Sequence, residues 1–324
     1  MATGPVSWRR RLAGAEPALA DLASRTDPVV LEALALPLLD AVADRLSSGD
    51  ARPLMLLNGP VGAGKSTLGR LLESLAPLAG LRLAVASIDD LYLPLARRRD
   101  VLAGNPFGVS RVPPGSHDLP LLLERLGSWR SSGLLELPRF DKTLHGGQGD
   151  RAGEQKRPAD ALVLEGWLMG CRSLEEDALA PLTSEGVELT DGRIALTPQE
   201  RLWLPRWNRE LLAYRALWRQ AAGLWLLRPG HWGLPYRWRL QAEARQRRSG
   251  GGWMRAKEVG ALVRATLASL PPALYQDPLA GLGCSATHGP EEVPLLGVVE
   301  LDGRRRGRRH GIQASPSSAS SAIG

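Results

Sequence analysis

Residues 59–66, Gly-Pro-Val-Gly-Ala-Gly-Lys-Ser, read G-x-x-x-x-G-K-[ST] in full. In such a segment Gly59, Gly62 and Gly64 let backbone N–H groups converge on anionic oxygens with no Cβ in the way. A helix starting at Lys65 adds its partial positive charge. The Lys65 ammonium then reaches the β- and γ-phosphates of a nucleotide, the Ser66 hydroxyl is placed for Mg²⁺, and Ala63 and Thr67 complete the cradle. The chemistry is the gripping of a nucleoside triphosphate. No N-K-x-D guanine reader is present, which favours ATP.

Carboxylates come next. Asp89 and Asp90 follow the apolar run 82–88, RLAVASI. If that run is a strand of an open parallel sheet, its C-terminal end lines the ligand crevice. A carboxylate there orients an acceptor hydroxyl and takes its proton. The competing reading is a pair of aspartates at the start of a helix, where Asp is favoured. Glu165 ends the run Ala161-Leu162-Val163-Leu164, an apolar strand closing on an acid as in a Walker-B segment, which holds Mg²⁺. Lysine occurs only four times, at Lys65, Lys142, Lys156 and Lys257, against a large excess of arginine. Such a bias suggests that some lysines are kept for a chemical reason.

These residues need strands and helices in alternation. Residues 53–58 (PLMLLN) suit a buried parallel strand, and Leu68, Leu71, Leu72 and Leu75 give helical spacing over 65–76. Further strands are expected at 82–88, 134–137, 161–164, 223–228 and 295–301. Thr197-Pro198-Gln199-Glu200 is a capping box opening a helix to about residue 222, which Pro205 should kink or split. Its stripe Trp203, Trp207, Leu211, Tyr214, Trp218 reads as core. Pro28 after Asp27 marks another helix start, and helices are expected over 236–248 and near 257–270. The fold class is therefore α/β, a mostly parallel sheet with helices on both faces.

Several segments together carry a family resemblance: the phosphate loop, SIDDLYL (87–93), PPGSHDL (113–119), LPRFDKTLHGGQGDR (137–151), LVLEGWLMG (162–170) and YRWRLQAE (236–243). On them the chain resembles D-glycerate 3-kinases of the plant and cyanobacterial type, within the wider group of P-loop kinases that includes phosphoribulokinase, uridine kinase and pantothenate kinase. The resemblance spans about residues 54–302. It implies a P-loop kinase fold with a lid-like helical insertion, ATP and Mg²⁺, and transfer of the γ-phosphoryl to D-glycerate, giving 3-phosphoglycerate in photorespiratory carbon salvage. It implies Asp89 as catalytic base, Glu165 as the Walker-B acid and Arg239 as a lid arginine closing over the phosphates. Asp90, Tyr92, His117, Asp118, Arg139, Asp141 and Lys142 would shape the acceptor pocket. A three-carbon acid wants an arginine fork for its carboxylate, from Arg139 or Arg111. Plainer readings stand beside these: His117 capping a loop, Asp141 and Asp150 holding turns, Arg237, Arg245, Arg247 and Arg248 forming a solvated helix face, Trp167 packing. Rival acceptors on the same fold are a nucleoside, pantothenate or another sugar acid.

The chain has 324 residues, 44% of them hydrophobic, enough for a sizeable core. Its net charge of +7 invites a nucleic-acid-associated ATPase, but five of those charges sit in Arg304, Arg305, Arg306, Arg308 and Arg309. Basicity is thus a property of the tail, which argues against a nucleic-acid partner. Cys171 and Cys284 lack metal-ligand spacing, which fits a reducing cytoplasm, and no secretory signal or membrane span is read. The expected organisation is an N-terminal helical extension (1–50), a kinase domain (51–302) and a disordered basic tail (303–324), with a small-molecule partner and a monomer as default.

Overall fold

A computed structural model describes residues 8–183, 194–250, 253–282 and 293–309. Its strands are β1 (Leu54–Asn58), β2 (Leu83–Ser87), β3 (Leu134–Asp141), β4 (Asp150–Pro158), β5 (Ala161–Gly166), β6 (Ala221–Pro229), β7 (Leu295–Leu301) and β8 (Gly307–Arg309). Six of them form one sheet in the order β2-β5-β1-β6-β7-β8, parallel throughout except for β8.

The central strands are apolar on both sides, so successive side chains enter different cores. Leu54, Leu56, Leu162, Leu164, Leu224 and Leu226 join one cluster, with Trp129, Trp207 and Tyr214. Met55, Leu57, Ala161, Val163, Trp225 and Leu227 join the other, with Leu68, Leu72, Leu75 and Trp238. Fully burying each such side chain contributes about 1.5–3 kcal/mol, so the sheet is held from both faces.

Four expectations need correction. The N-terminal extension is helical as read, but it also belongs to the core: Leu34, Leu38, Leu39 and Val42 are completely buried in the cluster that holds Met55 and Leu57. The basic tail does not begin disordered at 303. Residues 302–306 make a turn, and β8 pairs Arg309 with Val299 and Gly307 with Leu301. Residues 310–324, like Cys284 and most of the loop 281–292, lie outside the described residues. The segment 134–137 is a strand as read, the start of β3, but it pairs antiparallel with β4 in a separate two-stranded sheet and not in the central one. Finally, the capping box forms as read, with Thr197 accepting from Glu200 N at 3.3 Å and Glu200 accepting from Thr197 N at 2.8 Å. Pro205 nevertheless lies inside an unbroken helix, Pro198–Glu210. The change to a 3₁₀ turn comes later, at Leu211–Tyr214, and the aromatic stripe is core.

Candidate active site

Parallel strands end on a common edge, and three of them bring the chemistry together. Leu57 of β1 pairs with Glu165 of β5, which pairs with Ser87 of β2. Two residues beyond Leu57 the phosphate loop begins, and two beyond Ser87 stands Asp89. The helix Lys65–Leu75 starts directly from the loop, after Gly64 in a left-handed conformation.

Lys65 Nζ donates to Pro60 O at 3.2 Å and lies 3.7 Å from Glu165 Oε2. The Ser66 hydroxyl donates to Glu165 Oε1 at 3.0 Å, and Glu165 is only 5% exposed. A hydroxyl and a buried carboxylate held side by side at the foot of a phosphate loop are hard oxygen donors of the kind Mg²⁺ takes, the ion keeping several waters and phosphate oxygens as well. The fit is good on those terms. Among the described residues there is no cluster of three or more His, Cys, Asp or Glu that could hold a metal ion. Thr67 is exposed one residue further along, its N–H donating to Gly64 O at 3.0 Å.

A cavity of about 230 Å³ opens in front of the loop. Lys65, Ser66, Glu165, Asp89, Asp90, Tyr92, Arg111, Lys142 and Arg239 line it. Asp89 and Asp90 belong to a 3₁₀ turn, Ile88–Leu91, capped by Ser87, so they are not themselves the cap. Lys142 Nζ donates to Asp89 Oδ2 at 2.7 Å. Burial opposes the charge on Asp89, but the Lys142 ammonium, with Lys65 adding a smaller share, outweighs it and holds the carboxyl well below the usual range. Asp90 accepts from Phe140 N at 3.0 Å, and burial raises its pKa. Tyr92 is buried, and desolvation followed by the Asp89 charge pushes its phenol up. Arg239 enters from the helix Leu234–Arg248, 2.5 Å from Glu243.

The two candidate forks separate. Arg139 is exposed on β3 and does not line the cavity. Arg111 lines it at 5% exposure, and its Nη1 donates to Gly147 O and Gln148 O at 2.6 and 2.9 Å. Its Nε and Nη2 have no hydrogen bond among the described residues. The next residue, Val112, has φ +97°, an unusual backbone for a β-branched side chain and of the kind that recurs where a site over-determines it.

Three other expected pocket residues fall outside the cavity. Asp118 caps the helix Leu119–Ser132 through Leu121 N and accepts from Arg151 Nη2 at 2.6 Å. Asp141 is outside the cavity, accepting from Thr143 N and Oγ1 at 2.8 and 2.6 Å. His117 lies behind Tyr92, stacked on it at 4.6 Å, with Nδ1 2.6 Å from the Tyr214 hydroxyl. Burial lowers its pKa to about 4, so the ring is neutral. Asp150, one of the turn candidates, accepts from Leu95 N at 3.2 Å.

Sequence reasoning missed Arg98. It is fully buried and donates to Leu93 O, Ser110 O, Gln148 O and Gly149 O, with Phe140 and Tyr92 against its guanidinium. Burial lowers its pKa to about 10. It frames Tyr92 and the loop that anchors Arg111. Within Arg97-Arg98-Arg99 it looks like surface charge, and no local signal separates it from its neighbours. Leu262 and Val263 also reach the cavity, as the apolar side of a helix that sequence alone reads only as core.

No protein-family model matches the chain. It is 30% identical over 252 residues to "D-glycerate 3-kinase, chloroplastic" of Arabidopsis thaliana, an alignment covering 72% of this chain and 51% of that protein. The chain thus spans about half the length of that relative. An uncharacterised kinase of Schizosaccharomyces pombe is 29% identical over 206 residues, covering 60% of this chain and 71% of that one. The solved D-glycerate 3-kinase of Cryptococcus neoformans var. grubii superposes with a TM-score of 0.69 at 25% identity, covering 92% of this chain and 99% of that one.

Proposed function

We propose that this chain, a homologue of D-glycerate 3-kinase with the α/β fold of a P-loop kinase, transfers the γ-phosphoryl of ATP to a hydroxyl of D-glycerate, giving 3-phosphoglycerate and ADP. One observation carries the reading: the phosphate loop, Arg111 with an unbonded guanidinium edge, Asp89 and Lys142 all line one cavity.

The residues divide the work. Backbone amides of the loop and Lys65 hold the β- and γ-phosphates. Ser66 and Glu165 would hold Mg²⁺, which supplies charge neutralisation on the phosphate oxygens. The unbonded edge of the Arg111 guanidinium takes the acid's carboxylate, a charge-assisted contact with a planar geometry that Lys does not offer. That fixes the hydroxyl beside Asp89. Transfer forms a bond between the acceptor oxygen and the γ-phosphorus, breaks the bond from that phosphorus to the β,γ-bridging oxygen, and leaves the hydroxyl proton on Asp89. A carboxylate held well below its usual pKa is a weak base while Lys142 is closed on it. An arriving γ-phosphate competes for Lys142, and its departure raises the basicity of Asp89 as charge develops on the phosphoryl group. Arg239, on a helix already packed against the loop, adds a further cation for the phosphates.

A cavity of about 230 Å³ suits a small acceptor, and Arg111, Asp89, Asp90 and Tyr92 in its lining offer partners for a carboxylate and for hydroxyls. The test is ADP release with Mg·ATP across D-glycerate, L-glycerate, a nucleoside panel and pantothenate. D-Glycerate should give the highest kcat/KM, with 3-phosphoglycerate as product. Turnover with a nucleoside or pantothenate and none with glycerate would overturn the assignment.

A further inference from the structure

The arginine run that follows the last parallel strand contains one member unlike the others. Arg304, Arg306, Arg308 and Arg309 are exposed, whereas Arg305 turns inward. Its Nε donates to Gly62 O at 2.8 Å, its Nη2 to Trp238 O at 3.0 Å and its Nη1 to Gln241 Oε1 at 3.2 Å. Gly62 is the middle glycine of the phosphate loop, and Trp238 and Gln241 flank Arg239 on its helix. All three guanidinium nitrogens therefore join the loop to the helix that carries the Arg239 cation.

The join is tight. A Cβ at Gly62, where φ is +78°, would meet Trp238 Cβ at 2.8 Å and Arg239 N at 3.0 Å. The loop thus rests on the backbone of the helix at Arg239 itself. The contact also sets a peptide plane. In a trans peptide the C=O and the following N–H point in opposite directions. Anchoring Gly62 O outward on Arg305 therefore directs Ala63 N–H inward, where it donates to Pro60 O at 3.2 Å beside Lys65 Nζ.

Arg305 reaches this position in a strained backbone, φ +61°, held by a turn in which Arg305 N donates to Asp302 O at 2.8 Å and Asp302 N to Arg306 O at 3.0 Å. Trp238 Nε1 donates back to Gly303 O at 3.3 Å. The turn is in turn tied to the N-terminal layer, since Gly307 N donates to Asp27 Oδ1 at 3.0 Å and Arg309 pairs with Glu32 at 3.1 Å.

We propose that Arg305 is a positioning residue for the nucleotide: its guanidinium fixes the phosphate loop against the helix bearing Arg239, so the spacing between the anion cradle and that cation is set before ATP arrives. This rests on the loop binding a nucleotide, as argued above. Lysine is a poor substitute, because a point charge on a flexible stem cannot direct three bonds at two carbonyls and an amide. Removal of the guanidinium leaves Gly62 O and Trp238 O without this donor and frees the loop to rotate, which weakens nucleotide binding and leaves the acid's contacts with Arg111 intact.

The experiment is calorimetric titration of the full chain with Mg·ADP, alongside thermal unfolding and the KM for D-glycerate, for wild type, Arg305→Ala, Arg305→Lys and Arg304→Ala. Arg305→Ala should bind Mg·ADP at least about tenfold more weakly, the loss expected for about one charge-assisted hydrogen bond, with the KM for glycerate changed less than twofold. Arg305→Lys should recover only part of that loss, and Arg304→Ala should match wild type. A folded Arg305→Ala with wild-type ADP affinity overturns the proposal, as does equal weakening toward ADP and glycerate that follows a loss of folded protein. If the alanine variant does not fold, wild-type ADP affinity in Arg305→Lys overturns it. Failure of wild type itself to bind Mg·ADP would instead bring down the reading of the loop, and this proposal with it.

Discussion

At the scale of single residues, the account turns on which charges are free and which are already engaged. Arg111 offers an unbonded guanidinium edge inside the cavity, whereas Arg139 stands outside it. Arg111→Ala should raise the KM for the acid by about ten- to a hundredfold, the value of one or two hydrogen bonds to a charged group, with the KM for ATP unchanged. Arg139→Ala should leave both alone; steady-state kinetics on the pair would expose a wrong choice of fork. Asp89→Asn should lower kcat by about 10²–10⁴ with unaltered nucleotide affinity, and an unchanged kcat would remove Asp89 from the chemistry. His117 gives a test independent of turnover. Its folded pKa is depressed to about 4 by burial, from 6.5, so its contribution to stability is full above the unfolded value and is lost as pH falls from there through the folded one. Between pH 7 and 4 this one group should cost about 3 kcal/mol. Denaturant melts of His117→Phe should show a shallower acid dependence than wild type, and parallel curves would mean the ring is not buried neutral. Lys65 and Ser66 were legible in the sequence from the G-x-x-x-x-G-K-[ST] motif, and Asp89 and Glu165 because each stands at or just past the end of an apolar strand. The choice of Arg111 over Arg139 was not, since Arg139 falls in a matched segment and Arg111 just outside one, and only tertiary placement brings Arg111 to the cavity. Asp118 and Asp141 look like pocket acids in the sequence because short polar residues serve caps and sites alike.

At the scale of elements, the site is framed by segments with little hydrophobic signal. β4, DRAGEQKRP, is exposed along most of its length, so it lacks the alternation by which a half-buried strand is read. Its partner β3 was visible only at its apolar start, and the separation of this hairpin from the main sheet left no mark in periodicity. Arg151 and Asp118 lock the hairpin to the helix Leu119–Ser132, and Arg151 Nε also holds Tyr92 O at 3.1 Å. Segments that carry the family resemblance therefore include braces as well as pocket walls. At the other edge, Asp27 Oδ1 accepts from Val29 N at 3.0 Å, Val30 N at 3.1 Å and Gly307 N at 3.0 Å, closing the N-terminal layer onto β8. Asp27→Ala removes a helix cap and leaves a strand N–H without its partner. It should lower unfolding free energy by about 1–3 kcal/mol in chemical denaturation, and a change below about 0.5 kcal/mol would show the two edges to be independent.

At the scale of the molecule, the central layers were legible from alternation of buried runs and amphipathic helices, but the two ends were not. The first fifty residues read as an extension because no motif marks them, yet Leu34, Leu38 and Leu39 are core. Composition makes the run Arg304–Arg309 read as a tail, and composition is blind to the single member that folds inward. With Arg305 on the phosphate loop and Arg309 paired to Glu32, part of that basicity serves internal contacts and not an outside polyanion. The sheet edge, the hairpin and the helix bearing Arg239 meet at one cavity, and the central claim is that ATP and a small hydroxy acid meet there too. The most direct measurement is a crystal structure of the chain with Mg·ADP and D-glycerate bound. The glycerate carboxylate should lie on Arg111 and its terminal hydroxyl within hydrogen-bond reach of Asp89, with Lys142 withdrawn toward the phosphates. Glycerate bound on Arg139, or Lys142 still closed on Asp89 with both ligands in place, would contradict the account.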